Sequence, residues 1–466
     1  MSLPERFRAL LGERGVLDDP ADLAPCLHDP ITGRSGEAIA LLRPQTTGEV
    51  AAVVRLCREA GLPITPRGGG TGFAAGAIPA VPGGVLISLE RMRQVREVDP
   101  VSATVTVDAG VTLTALNEAV AEHGLSLPIR HGGEGSAQVG GTLSTNAGGY
   151  NVLRHGMARA HVLGLEVVLP DGRIWNGLRK LRKDNTGYDI KQLFIGAEGT
   201  LGLITGACLH LSPLATRHAT ALVAVGTPAE ALEIHTRLHR ALGELLSGSE
   251  LFPGHALEMG LARVPGQQAP FAPLPAWMHL VALETSIAAI DLEGVLGGVL
   301  MAALEDGLGQ DALIAASEAQ REAFWMYRES LAVAQAESPL VLKSDTAVPV
   351  SESARLIENA GRAVAGVLPG AVPLPFGHLG DGNIHFNVMA PEGMDAEAFA
   401  AVKPDLTRAI EAESVVLGGT ISAEHGIGAS KREALWRARD GIERDMMVAI
   451  RDAFDRERAF NDGKIL

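Results

Sequence analysis

Two short segments near the C-terminus of the chain carry a cluster of imidazole and carboxylate groups. The segments are Phe376-Gly-His-Leu-Gly-Asp-Gly-Asn-Ile-His-Phe-Asn387 and Ile421-Ser-Ala-Glu-His-Gly-Ile-Gly428, and their candidate ligands are His378, His385, Glu424 and His425. Imidazole and carboxylate are the ligands that a borderline divalent metal such as Zn²⁺ prefers, and three protein ligands leave one coordination position open for a substrate. The two segments therefore predict a metal site.

The residues around His385 have the alternation of a β-strand. Three apolar residues alternate with two polar ones: Ile384, Phe386 and Val388 against His385 and Asn387. This pattern predicts a strand over 383–389, and the glycine-rich turn at 377–382 allows His378 to fold back beside it. Polar residues that share a strand face are most often simply solvated. The Glu424-His425 pair favours the metal site instead.

The composition is that of a globular enzyme. The 466 residues suffice for two or three domains, hydrophobic residues make up 46% of them, and no apolar run approaches the ~20 residues of a membrane span. The N-terminus shows no secretory hydrophobic region, and Cys26, Cys57 and Cys208 match no metal-binding or redox spacing, so we expect a cytoplasmic protein. The net charge of −15 argues against nucleic acid and anionic membranes as partners.

Two glycine-rich stretches are candidates for binding a phosphate-containing cofactor. In Arg67-Gly-Gly-Gly-Thr-Gly72, backbone N–H groups can approach a pyrophosphate and the arginine adds positive charge. Gly70-x-Gly72-x-x-Ala75 meets the loose dinucleotide fingerprint, but the two prolines and three glycines of residues 75–84 forbid the helix that a nicotinamide site requires. Residues 135–149 form the second stretch. Either stretch alone could be a structural turn cluster, but the pair suits a long dinucleotide such as FAD.

The elements around these stretches predict an α+β architecture. Thr46 and Glu49 form a capping box before a helix over 50–59, and short strands with a hairpin around 170–172 follow. After residue 213, strands are expected over 219–225, 279–284, 340–344 and 383–389, and helices over 229–242, 292–304, 318–335, 354–367 and 396–416. Strand–helix units that feed an antiparallel sheet predict a ferredoxin-like α+β domain.

The glycine-rich stretches and histidine motifs occur, in this order, in one known family. Between them lies Leu181-Arg-Lys-Asp-Asn-Thr-Gly-Tyr-Asp-Ile-Lys-Gln-Leu-Phe-Ile-Gly-Ala-Glu-Gly-Thr-Leu-Gly-Leu-Ile-Thr205. From about residue 41 onwards the chain resembles the FAD-dependent D-2-hydroxyacid dehydrogenases of the vanillyl-alcohol-oxidase flavoprotein superfamily. The resemblance implies an N-terminal segment (1–37), a two-subdomain FAD-binding domain (38–213), a ferredoxin-like substrate domain (214–411) and a C-terminal helical segment that completes the active site (412–466).

The resemblance also implies which residues bind FAD. They are Arg67, Gly68, Gly69, Gly70, Thr71, Gly72, Gly76 and Ala77 in the first region, Gly141, Thr142, Thr145, Asn146, Gly148, Gly149 and Gly156 in the second, and Glu198, Gly202, Ile204 and Asn461 elsewhere. No histidine stands in an evident flavin-linking position, so we expect non-covalent FAD.

The same resemblance assigns the metal and substrate residues. It implies His378, His385 and Glu424 as ligands of Zn²⁺ or another divalent metal such as Mn²⁺, His425 as general base, and Arg328, Lys343 and Asn387 as substrate-binding residues. A guanidinium suits bidentate carboxylate recognition, although a helical arginine is most often solvated. Lys343 falls in an apolar run, where an unpaired ammonium would be costly. Four residues after Arg328 the family pattern has threonine, whereas this chain has Ala332.

These assignments imply a reaction. The hydroxyl and carboxylate of a 2-hydroxy acid would bind the metal, His425 would accept the hydroxyl proton, and hydride would pass from C2 to flavin N5. We expect oxidation of D-2-hydroxyglutarate, with electron-transfer flavoprotein as the electron acceptor. The alternatives are a D-lactate or glycolate dehydrogenase, an oxidase that uses O₂, and the flavin subunit of a larger glycolate-oxidising complex. Each of these functions is compatible with a homodimer.

Overall fold

The computed structural model of the protein describes residues 1–262, 268–336 and 338–466. The chain divides into two compact units. The first unit consists of residues 1–149, 156–214 and 424–466, and the second of residues 150–155 and 215–423. The N-terminal segment 1–37 is part of the first unit.

Two sheets form the frame of the first unit. The four-stranded sheet has the spatial order Val16–Leu17, Ala38–Leu42, Gly84–Ser88, Ile64–Arg67, and its last three strands run parallel. The five-stranded sheet is antiparallel, with the order Val95–Asp99, Thr104–Asp108, Leu203–His210, Val162–Val168, Ile174–Gly177. The hairpin predicted around residues 170–172 joins the last two of these strands. The two sheets agree with the two α+β subdomains expected of an FAD-binding domain.

Helices pack against these sheets around a shared apolar core. The Thr46 hydroxyl accepts the N–H of Glu49 at 3.1 Å at the start of Thr47–Glu59, as the capping box predicts. The other helices are Leu3–Leu11, Pro20–Leu27, Leu113–Ala121, Val139–Ser144, Lys191–Phe194, Arg432–Ala438 and Gly441–Asp455, with 3₁₀ turns at Glu13–Gly15 and Ala158–His161. Leu125–Ser126 pairs with Ser212–Pro213.

The second unit is built on a ferredoxin-like β-α-β-β-α-β frame, as predicted. In chain order the frame is Arg217–Val225, Pro228–Leu242, Leu246–Pro253, Trp277–Thr285, Leu292–Glu305 and Asp311–Ile314. In space the fourth strand lies beside the first, followed by the third and the second. Beyond the second strand the sheet continues with Val372–His378, Asn383–Met389 and Val341–Leu342, and Thr346–Ala347 also pairs with Asn383–Met389.

Helices cover both faces of this sheet. One face carries Pro228–Leu242, Leu292–Glu305, Ser353–Val367 and Ala396–Val416, and the other carries Gly254–Leu261 and Glu318–Ala336. Val152–His155 and a 3₁₀ turn at Val350–Glu352 also belong to this unit. A polar side chain on either face of the central strands is therefore withdrawn from water. In the described part of the chain, every helix is too short or too polar to span a membrane.

Several strands differ from the sequence prediction, and three of them lie around the site. The strand expected over 340–344 is confined to Val341–Leu342, so Lys343 follows the end of the strand instead of lying within it. Leu246–Pro253 and Val372–His378 were not predicted, because the first contains Ser-Gly-Ser and the second contains two prolines, all poor strand formers. Pairing with neighbouring strands overrides these local preferences.

Candidate active site

His378 and His385 lie on one hairpin of the second unit. The hairpin joins Val372–His378 to Asn383–Met389, and its register pairs Phe376 with His385. His378 and Phe376 are two residues apart on one strand, so the two histidines point to the same face. Their rings meet edge to face with centroids 5.6 Å apart, and their nearest ligand atoms lie within 4.8 Å of each other. The alternation predicted from the sequence is confirmed, and both imidazoles are buried.

Glu250 is the carboxylate partner of His378. It stands directly opposite His378 in the pairing of Leu246–Pro253 with Val372–His378, and only 1% of its surface is exposed. The Nδ1 atom of His378 lies 2.6 Å from Glu250 Oε1. Burial raises the pKa of Glu250, but the charges and hydrogen bonds of His378 and Arg328 outweigh it and bring the pKa to about 2. Glu250 is therefore an ionised carboxylate, which can only accept hydrogen bonds.

Arg328 reaches the same carboxylate from the helix Glu318–Ala336. Its Nε donates to Glu250 Oε2 at 2.7 Å, and the residue is 3% exposed. Its guanidinium carbon lies 4.6 Å from the ring centroid of Phe376 and 5.8 Å from that of Tyr150, within the range of cation–π contacts. The solvated alternative for this arginine is therefore wrong. Ala332, which stands where the family pattern has threonine, is exposed on the same helix.

Asp345 lies beside the second histidine. Its Oδ1 is 3.7 Å from His385 Nδ1 and accepts the side-chain amide of Asn383 at 3.0 Å. Its Oδ2 accepts the backbone N–H of Ala423 at 3.0 Å. A buried carboxylate thus lies next to each of the two histidines. Asp345 also binds the backbone of Ala423, the residue that precedes Glu424 in the chain.

Asn387 and Lys343 lie further along this part of the second unit. Asn387 Oδ1 accepts the backbone N–H of Ser344 at 2.9 Å, and its Nδ2 donates to Gln335 at 2.7 Å. Asn387 therefore holds the segment that carries Lys343. Lys343 is half-buried, and burial lowers its pKa. Substrate contact by either residue stays a prediction.

In the first unit, the loop that carries Glu424 and His425 is fixed by two residues of other segments. Glu198 Oε1 and Oε2 accept the backbone N–H groups of Ile427 and Gly428, each at 2.7 Å. The His425 ring stacks on Phe73, with centroids 4.5 Å apart and planes 10° from parallel. Phe73 directly follows the first glycine-rich stretch, so that stretch and the predicted base are neighbours within one unit.

The two glycine-rich stretches approach each other in the first unit. A Cβ on Gly69 would lie 1.8 Å from the Ser136 carbonyl oxygen, and one on Gly68 would lie 3.4 Å from Gly141. Glycine is required at position 69, because any side chain there would force the stretches apart, whereas the distance at Gly68 is an ordinary contact. Within the described residues, the buried Oε1 of Gln138 and the buried Oγ1 of Thr142 have no hydrogen-bond partner. Unpaired buried polar atoms at the meeting point of two loops fit a polar cofactor.

The C-terminal residues join this region through a buried lysine. Lys464 Nζ donates to the Gly76 carbonyl and to Asn461 Oδ1, each at 2.7 Å. Asn461 in turn donates to the Glu198 carbonyl at 2.6 Å. Burial lowers the pKa of Lys464 to about 7, against the opposing effect of the Glu198 charge. Lys464, which the sequence did not single out, thus joins two predicted FAD-binding residues, Gly76 and Asn461, and Asn461 contacts a third, Glu198.

All the predicted FAD-binding residues, together with Glu424 and His425, belong to the first unit, while His378, His385, Arg328, Lys343 and Asn387 belong to the second. Sequence reasoning missed Glu250, Asp345, Phe73 and Lys464. Phe73 could have been noticed as an aromatic residue next to a glycine-rich stretch. No local signal marks Glu250 as buried.

Comparison with known proteins gives the family. Residues 38–177 match the FAD binding domain, and residues 214–465 match the C-terminal domain of FAD linked oxidases. D-2-hydroxyglutarate dehydrogenase of Bos taurus is 36% identical over 459 residues, which cover 97% of this chain and 81% of that protein. The chain belongs to the FAD-dependent D-2-hydroxyacid dehydrogenases. A bacterial relative, D-2-hydroxyglutarate dehydrogenase of Xanthomonas citri pv. viticola, is 33% identical to this chain. The match covers 96% of this chain and 93% of the bacterial protein.

The fold of this dehydrogenase is of the vanillyl-alcohol-oxidase type. p-Cresol methylhydroxylase with bound substrate superposes with a TM-score of 0.77, at 18% identity, over 99% of this chain and 95% of that chain. At this identity the similarity establishes the fold alone.

Proposed function

We propose that this enzyme oxidises D-2-hydroxyglutarate to the 2-oxo acid with the help of non-covalent FAD and a divalent metal. The observation that carries the proposal is the arrangement of the second unit, where two buried imidazoles face each other beside a buried guanidinium. Imidazole nitrogens suit Zn²⁺, and a guanidinium suits a carboxylate. A 2-hydroxy acid offers both a metal-binding hydroxyl and a carboxylate. The names of the relatives in cattle and Xanthomonas supply the specific substrate.

His378, His385 and Glu424 are the proposed metal ligands. The ligand atoms of the two histidines lie within 4.8 Å of each other. Glu424 directly follows Ala423, whose N–H donates to Asp345 in the second unit. A bound divalent ion supplies Lewis-acid chemistry, and bound FAD supplies the hydride acceptor.

The residues of the chain then have distinct roles. Arg328 binds the α-carboxylate, because a guanidinium can donate two parallel hydrogen bonds to it. Lys343 binds the distal carboxylate of a dicarboxylic substrate, and Asn387 holds the segment on which Lys343 lies. His425 accepts the proton of the C2 hydroxyl, and Phe73 fixes the plane of its ring.

The proposal also covers the electron acceptor and the cellular compartment of the reaction. We infer that electron-transfer flavoprotein takes the electrons from the reduced flavin in a cytoplasmic reaction. An O₂-using oxidase would instead release hydrogen peroxide, and a subunit of a larger complex would show no turnover when purified alone.

The reduction of an artificial dye by the purified chain tests the proposed function. The measurement compares the D- and L-forms of 2-hydroxyglutarate, malate and lactate, together with glycolate, under aerobic and anaerobic conditions. We expect the highest kcat/KM with D-2-hydroxyglutarate and no peroxide. Faster turnover of every L-form would contradict the assignment to D-2-hydroxy acids.

We predict that Lys343→Met impairs dicarboxylates far more than D-lactate. Loss of one charge-assisted contact is expected to raise the KM for D-2-hydroxyglutarate by about tenfold or more, since hydrogen bonds to charged groups contribute roughly 1.5–3 kcal/mol. D-Lactate has no second carboxylate and serves as the internal control. Lys343→Arg should keep part of the preference. Equal losses on both substrates would show that Lys343 does not bind the distal carboxylate.

A further inference from the structure

We propose that Glu250 is a positioning residue of the active site, which fixes His378 in the tautomer that offers Nε2 to the metal and which holds Arg328 beside it. The inference deepens the proposed function and rests on it, because it assumes that His378 is a metal ligand. Metal-binding histidines commonly donate their other ring N–H to a carboxylate, which sets the tautomer and orientation of the ring. Glu250 supplies such a carboxylate from a neighbouring strand.

The geometry of the sheet brings the two side chains together. Glu250 and His378 are direct partners across Leu246–Pro253 and Val372–His378, so both side chains leave the sheet on the same face. Their contact of 2.6 Å joins His378 Nδ1 to Glu250 Oε1. Glu250 Oε2 accepts from the guanidinium of Arg328, so this carboxylate acts as an acceptor toward its neighbours, and Nδ1 is the atom of His378 that donates to it. In the neutral imidazole, Nε2 is then the nitrogen with a lone pair.

The second oxygen of Glu250 serves a different residue. Oε2 accepts from Arg328 Nε at 2.7 Å, and the same guanidinium lies 4.6 Å from the ring centroid of Phe376. Phe376 belongs to the same strand as His378. One buried carboxylate therefore orients a proposed metal ligand with one oxygen and a proposed carboxylate-binding group with the other.

A glutamine at position 250 would retain the shape of the side chain but not both contacts. Its carbonyl oxygen can accept from His378 or from Arg328, while its amide nitrogen is a donor facing another donor. Removal of the buried negative charge also takes away the carboxylate that Nε of the buried Arg328 contacts. Both effects are expected to weaken the binding of metal and of substrate carboxylate, without loss of the metal ligands themselves.

The experiment measures metal affinity of the FAD-loaded full-length protein by competition with a chromogenic chelator, with Zn²⁺ and Mn²⁺ as probes. Glu250→Gln is expected to bind metal about 10–100-fold more weakly than the wild type, the range typical of lost partners of ligating histidines. Excess metal should restore much of its kcat, whereas His378→Ala, which lacks a ligand, should not recover. The KM for the 2-hydroxy acid should stay raised in Glu250→Gln at saturating metal, because the carboxylate that orients the Arg328 guanidinium is gone.

Ser249→Ala is the matched control. Ser249 precedes Glu250 on the same strand, is equally buried, and contacts His235 and His279 at 3.0 and 2.8 Å. Successive residues of a strand point to opposite faces, so this variant disturbs the same strand without touching His378. We expect wild-type metal affinity in Ser249→Ala. An equal loss of affinity in both variants would overturn the inference, since it would indicate general damage to the strand.

The remaining outcomes separate this inference from the proposed function. If the wild type binds metal and Glu250→Gln binds it equally well, the inference fails and the metal site stands. If the wild type binds neither Zn²⁺ nor Mn²⁺, both the inference about Glu250 and the proposed metal site fail. Should Glu250→Gln not fold, the ¹⁵N chemical shifts of histidine in the metal-free wild type decide the tautomer, with His378→Asn identifying the signal. A protonated Nδ1 and an unprotonated Nε2 support the inference, and the reverse overturns it.

Discussion

Replacement of His378, His385 or Glu424 by alanine should remove bound metal and most of the turnover, while FAD stays bound. Each variant deletes one of three proposed ligands, and Lewis-acid stabilisation is worth several kcal/mol, on the order of a thousandfold in rate. FAD should remain because His378 and His385 lie in the second unit, whereas the predicted FAD-binding residues lie in the first. Glu424 belongs to the first unit but is not one of the predicted FAD-binding residues. The measurements are metal content, flavin absorbance and the rate of flavin reduction by D-2-hydroxyglutarate.

The exposed histidine His123 provides a matched control, and His123→Ala should retain metal and activity. Treatment of the wild type with a chelator is the complementary test. It should give a metal-free protein that regains turnover when Zn²⁺ or Mn²⁺ is added. Full activity after complete removal of the metal would contradict the assignment of these three residues.

Local patterns were sufficient to predict much of the hairpin that carries the histidines. Apolar and polar residues alternate over 383–389, and the observed strand, Asn383–Met389, has the predicted bounds. The helix Ala396–Val416 was also predicted with its observed bounds, and the Asp395 side chain caps its first turn. In both cases the periodicity of the buried face is strong, and the element begins or ends at residues with clear preferences.

The carboxylates behind the histidines could not be predicted in this way. Glu250 lies in Leu-Ser-Gly-Ser-Glu-Leu-Phe, where small polar residues hide the strand, and its partner His378 is 128 positions away. Only the pairing of two strands across the sheet brings them together. Asp345 directly follows the strand predicted over 340–344, but its contact with His385 depends on where that strand ends in the structure. Long-range register is not encoded in any local pattern of residues.

The same limit applies to the surroundings of His425. The sequence indicated an imidazole between glycines, but the stacking of Phe73 and the carboxylate contacts of Glu198 come from segments far apart in the chain. These contacts fix the loop that carries the imidazole.

His425→Asn should retain metal and FAD but reduce flavin about 10²–10⁴-fold more slowly, the range typical of the loss of a general base. Asparagine keeps a polar side chain of similar reach but cannot accept a proton near neutral pH. Phe73→Leu is the matched comparison, since it removes the stacked ring and leaves the imidazole in place. Its loss in rate should be much smaller, because the base is still present and only its orientation is less restricted. Rapid mixing with D-2-hydroxyglutarate measures flavin reduction directly, and metal analysis of the same samples separates the two roles of His425. A fall in metal content that parallels the loss of rate would make His425 a ligand, and proton transfer from the C2 hydroxyl would then require a different acceptor.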